Sequence, residues 1–83
     1  MNTFLFVTTF RRPNFEMLPG EVHQTDDAAF KFHATGREFY YFIIKRDEQG
    51  GWYWVDGHMA SLERVIDLGE KIDEFFTRQH ADM

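Results

Sequence analysis

Cysteine is absent from the 83 residues of this chain, and proline occurs only twice. The absence of cysteine excludes disulfide bonds and thiolate metal sites, the cross-links that commonly stabilise small proteins. A chain of this length buries about 60–65% of the surface that its unfolded form exposes, so its stability margin is narrow. We therefore expect residues 1–83 to form a single domain that depends on dense packing or on self-association.

Basic residues are also scarce, with nine lysines and arginines against fourteen aspartates and glutamates, and a formal net charge of −5. Affinity for nucleic acid rests mainly on lysine and arginine contacts with phosphate, so this balance disfavours a nucleic-acid partner. No apolar run approaches the roughly 18 residues that cross a bilayer. The start MNTFLFVTTFRRP also lacks the basic leader of a secretory signal. Together with the lack of cysteine, these features predict a cytoplasmic protein without a membrane segment.

Residue patterns that carry catalysis are missing as well. The sequence contains no nucleophile elbow and no glycine-rich phosphate loop. Its histidines, which are His23, His33, His58 and His80, show no metal-ligand spacing. The sequence therefore predicts a protein that is not an enzyme and that has no metal site and no cofactor.

Aromatic residues, in contrast, are abundant: ten phenylalanines, three tyrosines and two tryptophans make up 18% of the chain. A buried aromatic ring removes about 150–250 Å² of surface from water. This content indicates a core built largely from aromatic rings, because a short chain without disulfides needs dense packing.

Apolar periodicity divides the chain into strands followed by one helix. Four runs rich in β-branched and aromatic residues predict strands: 3–10, 28–34, 38–46 and 52–56. Residues 21–25 could add a short edge strand, and residues 60–79 repeat apolar positions at helical spacing after the N-cap Ser61. Strands that precede a single helix are typical of the α+β class. We predict an antiparallel sheet of four strands, or five with the edge strand, packed on one C-terminal amphipathic helix.

The last two strands, within REFYYFIIKRDEQGGWYWVD, are apolar on both faces, so loop lengths must decide which face is buried. We assume a two-residue turn at Thr35-Gly36 and a five-residue loop, DEQGG. The face predicted to form the core then carries Phe30, Phe32, Phe39, Tyr41, Ile43, Tyr53 and Val55. The opposite face is predicted to be an uncovered aromatic patch of Tyr40, Phe42, Ile44, Trp52 and Trp54, with a rim of Lys31, His33 and Arg46.

An uncovered aromatic patch usually marks an interaction site. Three covers are open: a second copy of the chain, a foreign partner or ligand, or a flap formed by Phe15, Met17, Leu18 and Val22. The predicted function is that of a small acidic protein-interaction module that contacts a partner or forms a homodimer through this patch. The alternative is a binder of single-stranded nucleic acid or of a small ligand that stacks on the same patch.

The outer side of the predicted helix carries a stripe of acids, namely Glu63, Asp67, Glu70 and Glu74. Such a stripe could dock on a basic partner. However, Lys71 follows Asp67 by four residues and Arg78 follows Glu74 by four, which is the favourable order for ion pairs within a helix. We interpret the stripe first as a solvated helix face and second as an acidic partner surface.

Overall fold

A computed structural model of the chain describes residues 2–11, 17–26, 28–36 and 39–81. Five strands precede one helix, in the order β1 (Thr3–Arg11), β2 (Met17–Gln24), β3 (Ala29–Ala34), β4 (Tyr41–Arg46), β5 (Trp52–Gly57) and α1 (Leu62–Ala81). Each strand pairs antiparallel with the next, so β1 and β5 form the two edges of the sheet. The predicted α+β fold, an antiparallel sheet with one C-terminal helix, is confirmed with five strands.

Strand β2 differs from the expectation, since it is an interior strand of eight residues rather than a short edge strand. It contains Pro19, although interior strands rarely include proline because proline has no N–H for the ladder. Thr35 N–H donates to the carbonyl oxygen of Pro19 at 3.0 Å, and the return bond cannot form. Pro19 is compatible with β2 because this pair lies one residue beyond Ala34, where β3 ends.

Helix α1 packs on the even-numbered side chains of β2, β3 and β4, together with Phe10 of β1 and Trp52 of β5. Its own buried residues are Val65, Leu68 and Ile72. The strands contribute Phe10, Leu18, Val22, Phe30, Phe32, Ala34, Phe42 and Ile44 to the same core. Successive side chains of a strand point to opposite faces, so the odd-numbered residues of β2, β3 and β4 line the other face. Register shifts in β1 and β5 change this parity, and Phe4 and Asp56 pair with residues of that face. Within the described ranges no helix covers that second face, which we call the open face.

The predicted division of the sheet into a core face and an exposed face is wrong. Phe42 and Ile44, expected on the exposed face, are 0% exposed. Three residues expected in the core are instead exposed, namely Phe39, Tyr53 and Val55. Tyr41 and Ile43, also expected in the core, are half-buried on the open face. Of the predicted core face, only the β3 residues Phe30 and Phe32 are buried as expected.

The connection between β3 and β4 explains the reversal. Ala34 N–H donates to the carbonyl oxygen of Tyr40 at 2.9 Å, and Phe32 pairs with Phe42. Five residues, 35–39, therefore separate the paired residues Ala34 and Tyr40, whereas the assumed Thr35-Gly36 turn has two. An odd number in place of an even number exchanges the two faces of β4. Because β4 is apolar on both faces, its own sequence fits either arrangement.

Gly20 marks a close approach of β2 to the core. A Cβ atom added there would lie 2.5 Å from Phe32 Cζ and 2.6 Å from the backbone oxygen of His33. These distances force the neighbours to move, so we expect Gly20→Ala to lower the free energy of unfolding by about 1–3 kcal/mol. Urea denaturation measures the change, with Gly36→Ala as control because nothing lies within 4 Å of a Cβ added at Gly36. Equal stability of the two variants would contradict the packing at Gly20.

Candidate interaction surface

Helix α1 covers the five residues predicted to form the interaction face. Besides the fully buried Phe42 and Ile44, this set includes Tyr40, Trp52 and Trp54, which are partly buried and pack against the core. In the described chain these side chains therefore serve the core, and a partner could reach most of their surface only by displacing α1.

The predicted flap does not cover that face either. Leu18 and Val22 belong to β2 and are core residues, while Met17 at the start of the same strand is exposed. Phe15 lies outside the described residues. Helix α1 itself covers the predicted aromatic patch, whereas the sequence analysis places the helix on the other side of the sheet.

Trp52 joins β5 to the helix. A Cβ atom added at Gly69 would lie 2.3 Å from Trp52 Cδ1, so the indole ring packs directly on the helix backbone. The indole N–H donates to Asp73 Oδ2 at 3.4 Å, and the Arg46 guanidinium lies 4.3 Å from the ring centroid. Arg46 also forms an ion pair with Asp73. Arg46, predicted as a rim residue, therefore belongs to the contact between the sheet and the helix.

The other two predicted rim residues lie on the open face. Lys31 Nζ is 4.7 Å from the centroid of the Tyr41 ring, and His33 is the cross-strand partner of Tyr41. Because Arg46 is on the helix side of the sheet, the three predicted rim residues do not surround one surface. Lys31 and His33 therefore lie on one side of the sheet and Arg46 lies on the other.

The open face is a mixed surface of apolar, basic and acidic groups. His23 Nε2 and Glu21 Oε1 are 3.0 Å apart, and both line a shallow depression of about 300 Å³ with Asn2, Lys31 and His33. In the part of the chain that the structure describes, no three histidine or acidic side chains are arranged to hold a metal ion. Opposite charges alternate on this face, so it favours no single class of ligand.

The acidic stripe on the helix is partly neutralised by neighbouring cations. Lys71 Nζ lies 3.8 Å from Asp67 Oδ1, and Arg78 pairs with Glu74, as the spacing predicts. Glu63 and Glu70 form no ion pair with any described residue. These pairs agree with a solvated helix face, and the role of the stripe as a partner surface stays a prediction.

Exposed apolar side chains are concentrated near strand β5. The described residues include nine large apolar side chains that are exposed, and five of these lie between positions 53 and 66. We call these five the β5 corner: Tyr53, Val55, Met59, Leu62 and Ile66. Met59 and Leu62 are 78% and 70% exposed, which is unusual for side chains of this size in so short a stretch.

Leu62 and Ile66 lie on the side of α1 that faces β5. Residues 62, 66, 69 and 73 are spaced by three or four and therefore share one side of the helix. Gly69 and Asp73, on that same side, contact Trp52 of β5. Leu62 and Ile66 are nevertheless exposed, so this side of α1 is left uncovered near the edge strand β5 in the described residues.

In the part of the chain that the structure describes, no other strand pairs with the outer edge of β5. Asp47 N–H donates to Gly51 O at 2.9 Å across the β4–β5 hairpin. Hydrogen-bonded and non-hydrogen-bonded pairs alternate along an antiparallel ladder, so Lys45 and Tyr53 form the next bonded pair. The N–H and C=O groups of Trp52 and Trp54 consequently point away from β4. This regular stretch ends at a bulge, where Asp56 rather than Val55 pairs with Ile43.

The width of the apolar side of α1 is a sequence signal for this exposed surface. Apolar residues occupy about half of the circumference of α1, from Leu62 and Ile66 on one side to Phe75 on the other. An apolar arc of about 100° is enough to face a core. The surplus width could have indicated that one flank of the helix remains exposed.

Comparison of the chain with protein-family models, with curated proteins and with solved structures gives no match. Among the described residues, no helix is long and apolar enough to cross a membrane.

Proposed function

We propose that this protein is a small, non-enzymatic protein-interaction module that binds a second copy of itself through the β5 corner. The observation that carries the proposal is the concentration of exposed apolar side chains beside one strand edge, where five of the nine in the described residues occur. Tyr53 on the open face and Leu62 and Ile66 on the helix side flank the same edge of the sheet, so a partner at that edge can contact both groups.

A second copy is the partner that the physical constraints favour. A two-fold axis brings the same patch of both copies together, so an apolar patch meets an equally apolar patch without a specialised partner. Burial of apolar surface contributes about 25 cal/mol per Å² before the losses of association. A small domain without disulfides also gains stability from a bound copy, by mass action.

The area of the corner predicts a moderate affinity. Five partly exposed side chains offer an area on the order of a few hundred Å² per copy, below the ~800 Å² per partner of a typical stable interface. We therefore expect dissociation constants in the micromolar range, with polar groups near β5 supplying part of the contact.

Stacking of a nucleobase or a small planar ligand on the aromatic patch is a weaker alternative. The rings of Trp52 and Trp54 pack against the core, and Phe42 is fully buried. Both tryptophans are only partly exposed, so little ring surface is open to a stacked base. The overall charge of −5 disfavours nucleic acid further.

Introduction of a charge into the β5 corner tests the proposal. We expect the wild type to sediment as a dimer at concentrations of tens to hundreds of micromolar, and Leu62→Lys to raise the dissociation constant at least about tenfold. A lysine there must be desolvated at the interface, which opposes association. Val7→Lys is the matched control, because Val7 is 69% exposed, compared with 70% for Leu62, but lies on the opposite edge strand.

Circular dichroism of both variants must match that of the wild type, so that loss of the dimer is not loss of the fold. A wild type that stays monomeric throughout this range contradicts the proposal. Equal weakening by Leu62→Lys and Val7→Lys also contradicts it, because the interface would then not be the β5 corner.

A further inference from the structure

We infer that the two copies join by antiparallel pairing of β5 with β5, which makes one continuous ten-stranded sheet. This inference rests on the proposed function and specifies its contact. It differs from simple packing of apolar side chains because backbone hydrogen bonds would cross the interface.

The backbone of β5 is suited to receive another strand. Among the described residues, no strand pairs with the outward N–H and C=O groups of Trp52 and Trp54. Natural edge strands are commonly protected by lysine or proline, and the sequence of β5, WYWVDG, contains neither. Its one charged residue, Asp56, follows the regular stretch that ends at the bulge.

Symmetric pairing also brings the exposed side of the helix into contact. Gly69 packs on Trp52 and α1 begins just after β5 ends, so the helix runs back along this strand. A two-fold axis beside β5 therefore places the two helices next to each other on the same side of the joined sheet. Leu62 and Ile66 of each copy then face the other helix, and the same contact buries both side chains.

Charge argues against the corresponding contact at the other edge strand, β1. The Arg64 guanidinium and Lys71 Nζ lie 5.2 Å and 5.9 Å from the ring centroid of Phe10, a residue of β1. Two copies joined at β1 would bring the two Arg64 guanidinium groups together, and their repulsion opposes that arrangement, whereas the charge of Lys71 is offset by Asp67. The β5 side of α1 carries exposed leucine and isoleucine side chains in the equivalent place.

Amide hydrogen exchange measured by NMR tests the pairing on the full chain. We expect the backbone amides of Trp52 and Trp54 to exchange at least roughly tenfold more slowly in the dimer than in monomeric Leu62→Lys, because a new ladder would protect them. The Tyr53 amide is bonded to β4 in both states and is the internal control.

The β1 edge supplies a second control. The carbonyl of Pro19 faces Thr35, so its cross-strand partner Thr9 directs its backbone away from β2, as does Val7 two residues earlier. The amides of Val7 and Thr9 should therefore exchange at the same rate in dimer and monomer.

Three outcomes are distinguishable. Slower exchange confined to Trp52 and Trp54 supports strand pairing. A dimer in which these amides exchange as fast as those of Val7 and Thr9 overturns strand pairing but leaves self-association through the β5 corner intact. Absence of a dimer contradicts the proposed function and the inference together.

Discussion

Replacement of Phe42 by alanine is expected to lower the free energy of unfolding by about 3–5 kcal/mol. Phe42 is completely buried, and its ring lies 5.8 Å from that of Phe32 and 6.3 Å from that of Phe10, measured between centroids. Removal of the ring leaves a cavity among aromatic neighbours that cannot close without moving β4 or α1. The total free energy of unfolding of a protein is about 5–15 kcal/mol, and a domain this small lies toward the low end of that range. We therefore expect the Phe42→Ala variant to be partly unfolded at room temperature.

Phe39→Ala is the matched control for that experiment. Phe39 is the same residue type on the same stretch of chain, but it is 73% exposed. We expect its replacement to change stability by no more than about 0.5 kcal/mol. Urea denaturation of the two variants measures both losses. A larger loss for Phe39→Ala than for Phe42→Ala would contradict the structure, because it would place Phe39 in the core and Phe42 on the surface.

The second large effect is expected at Gly69, where the usual consequence of a substitution should be reversed. Glycine inside a helix is less favourable than alanine by about 1 kcal/mol, so Gly→Ala in a helix normally stabilises a protein. Here the added Cβ would lie 2.3–2.6 Å from three atoms of the Trp52 ring. We expect Gly69→Ala to destabilise the protein by about 1–3 kcal/mol, because either α1 or the indole must shift.

A double-mutant cycle identifies the cause. If the clash with Trp52 produces the loss, Gly69→Ala should cost much less in a Trp52→Ala background, and the coupling energy should exceed about 0.5 kcal/mol. Thermal or urea denaturation provides the four stabilities. A stabilising effect of Gly69→Ala in the wild-type background would show that the helix does not sit on Trp52 as described.

Local features of the chain were predictable from the sequence because their causes lie within a few residues. The N-cap is an example: Arg64 N–H donates to Ser61 Oγ at 3.1 Å, as the position of Ser61 before the apolar helix predicts. The pairing of Lys71 with Asp67 follows from their spacing in the same way. The DEQGG loop also produces the predicted register, in which Arg46 faces Trp52.

The exposed surface depended on relations between distant parts of the chain. Which face of β4 is buried depends on whether the connection after Ala34 is odd or even in length, and the apolar character of both faces gives no local preference. The observed connection is three residues longer than the assumed two-residue turn, and this odd difference transfers Phe42 from the surface to the core. The face predicted to be exposed is therefore the one that α1 covers.

The sequence alone thus determined four of the five strands, the helix that follows them, the aromatic character of the core, and the N-cap and ion pairs of the helix. The tertiary structure decided that α1 covers the tryptophan side of the sheet and that β5 is an edge. It also decided that Leu62 and Ile66 stay exposed, although they share a side of the helix with Gly69, which packs on Trp52. The physical reason is that periodicity shows which residues share a side of a strand or helix, whereas burial depends on what the rest of the chain places against that side.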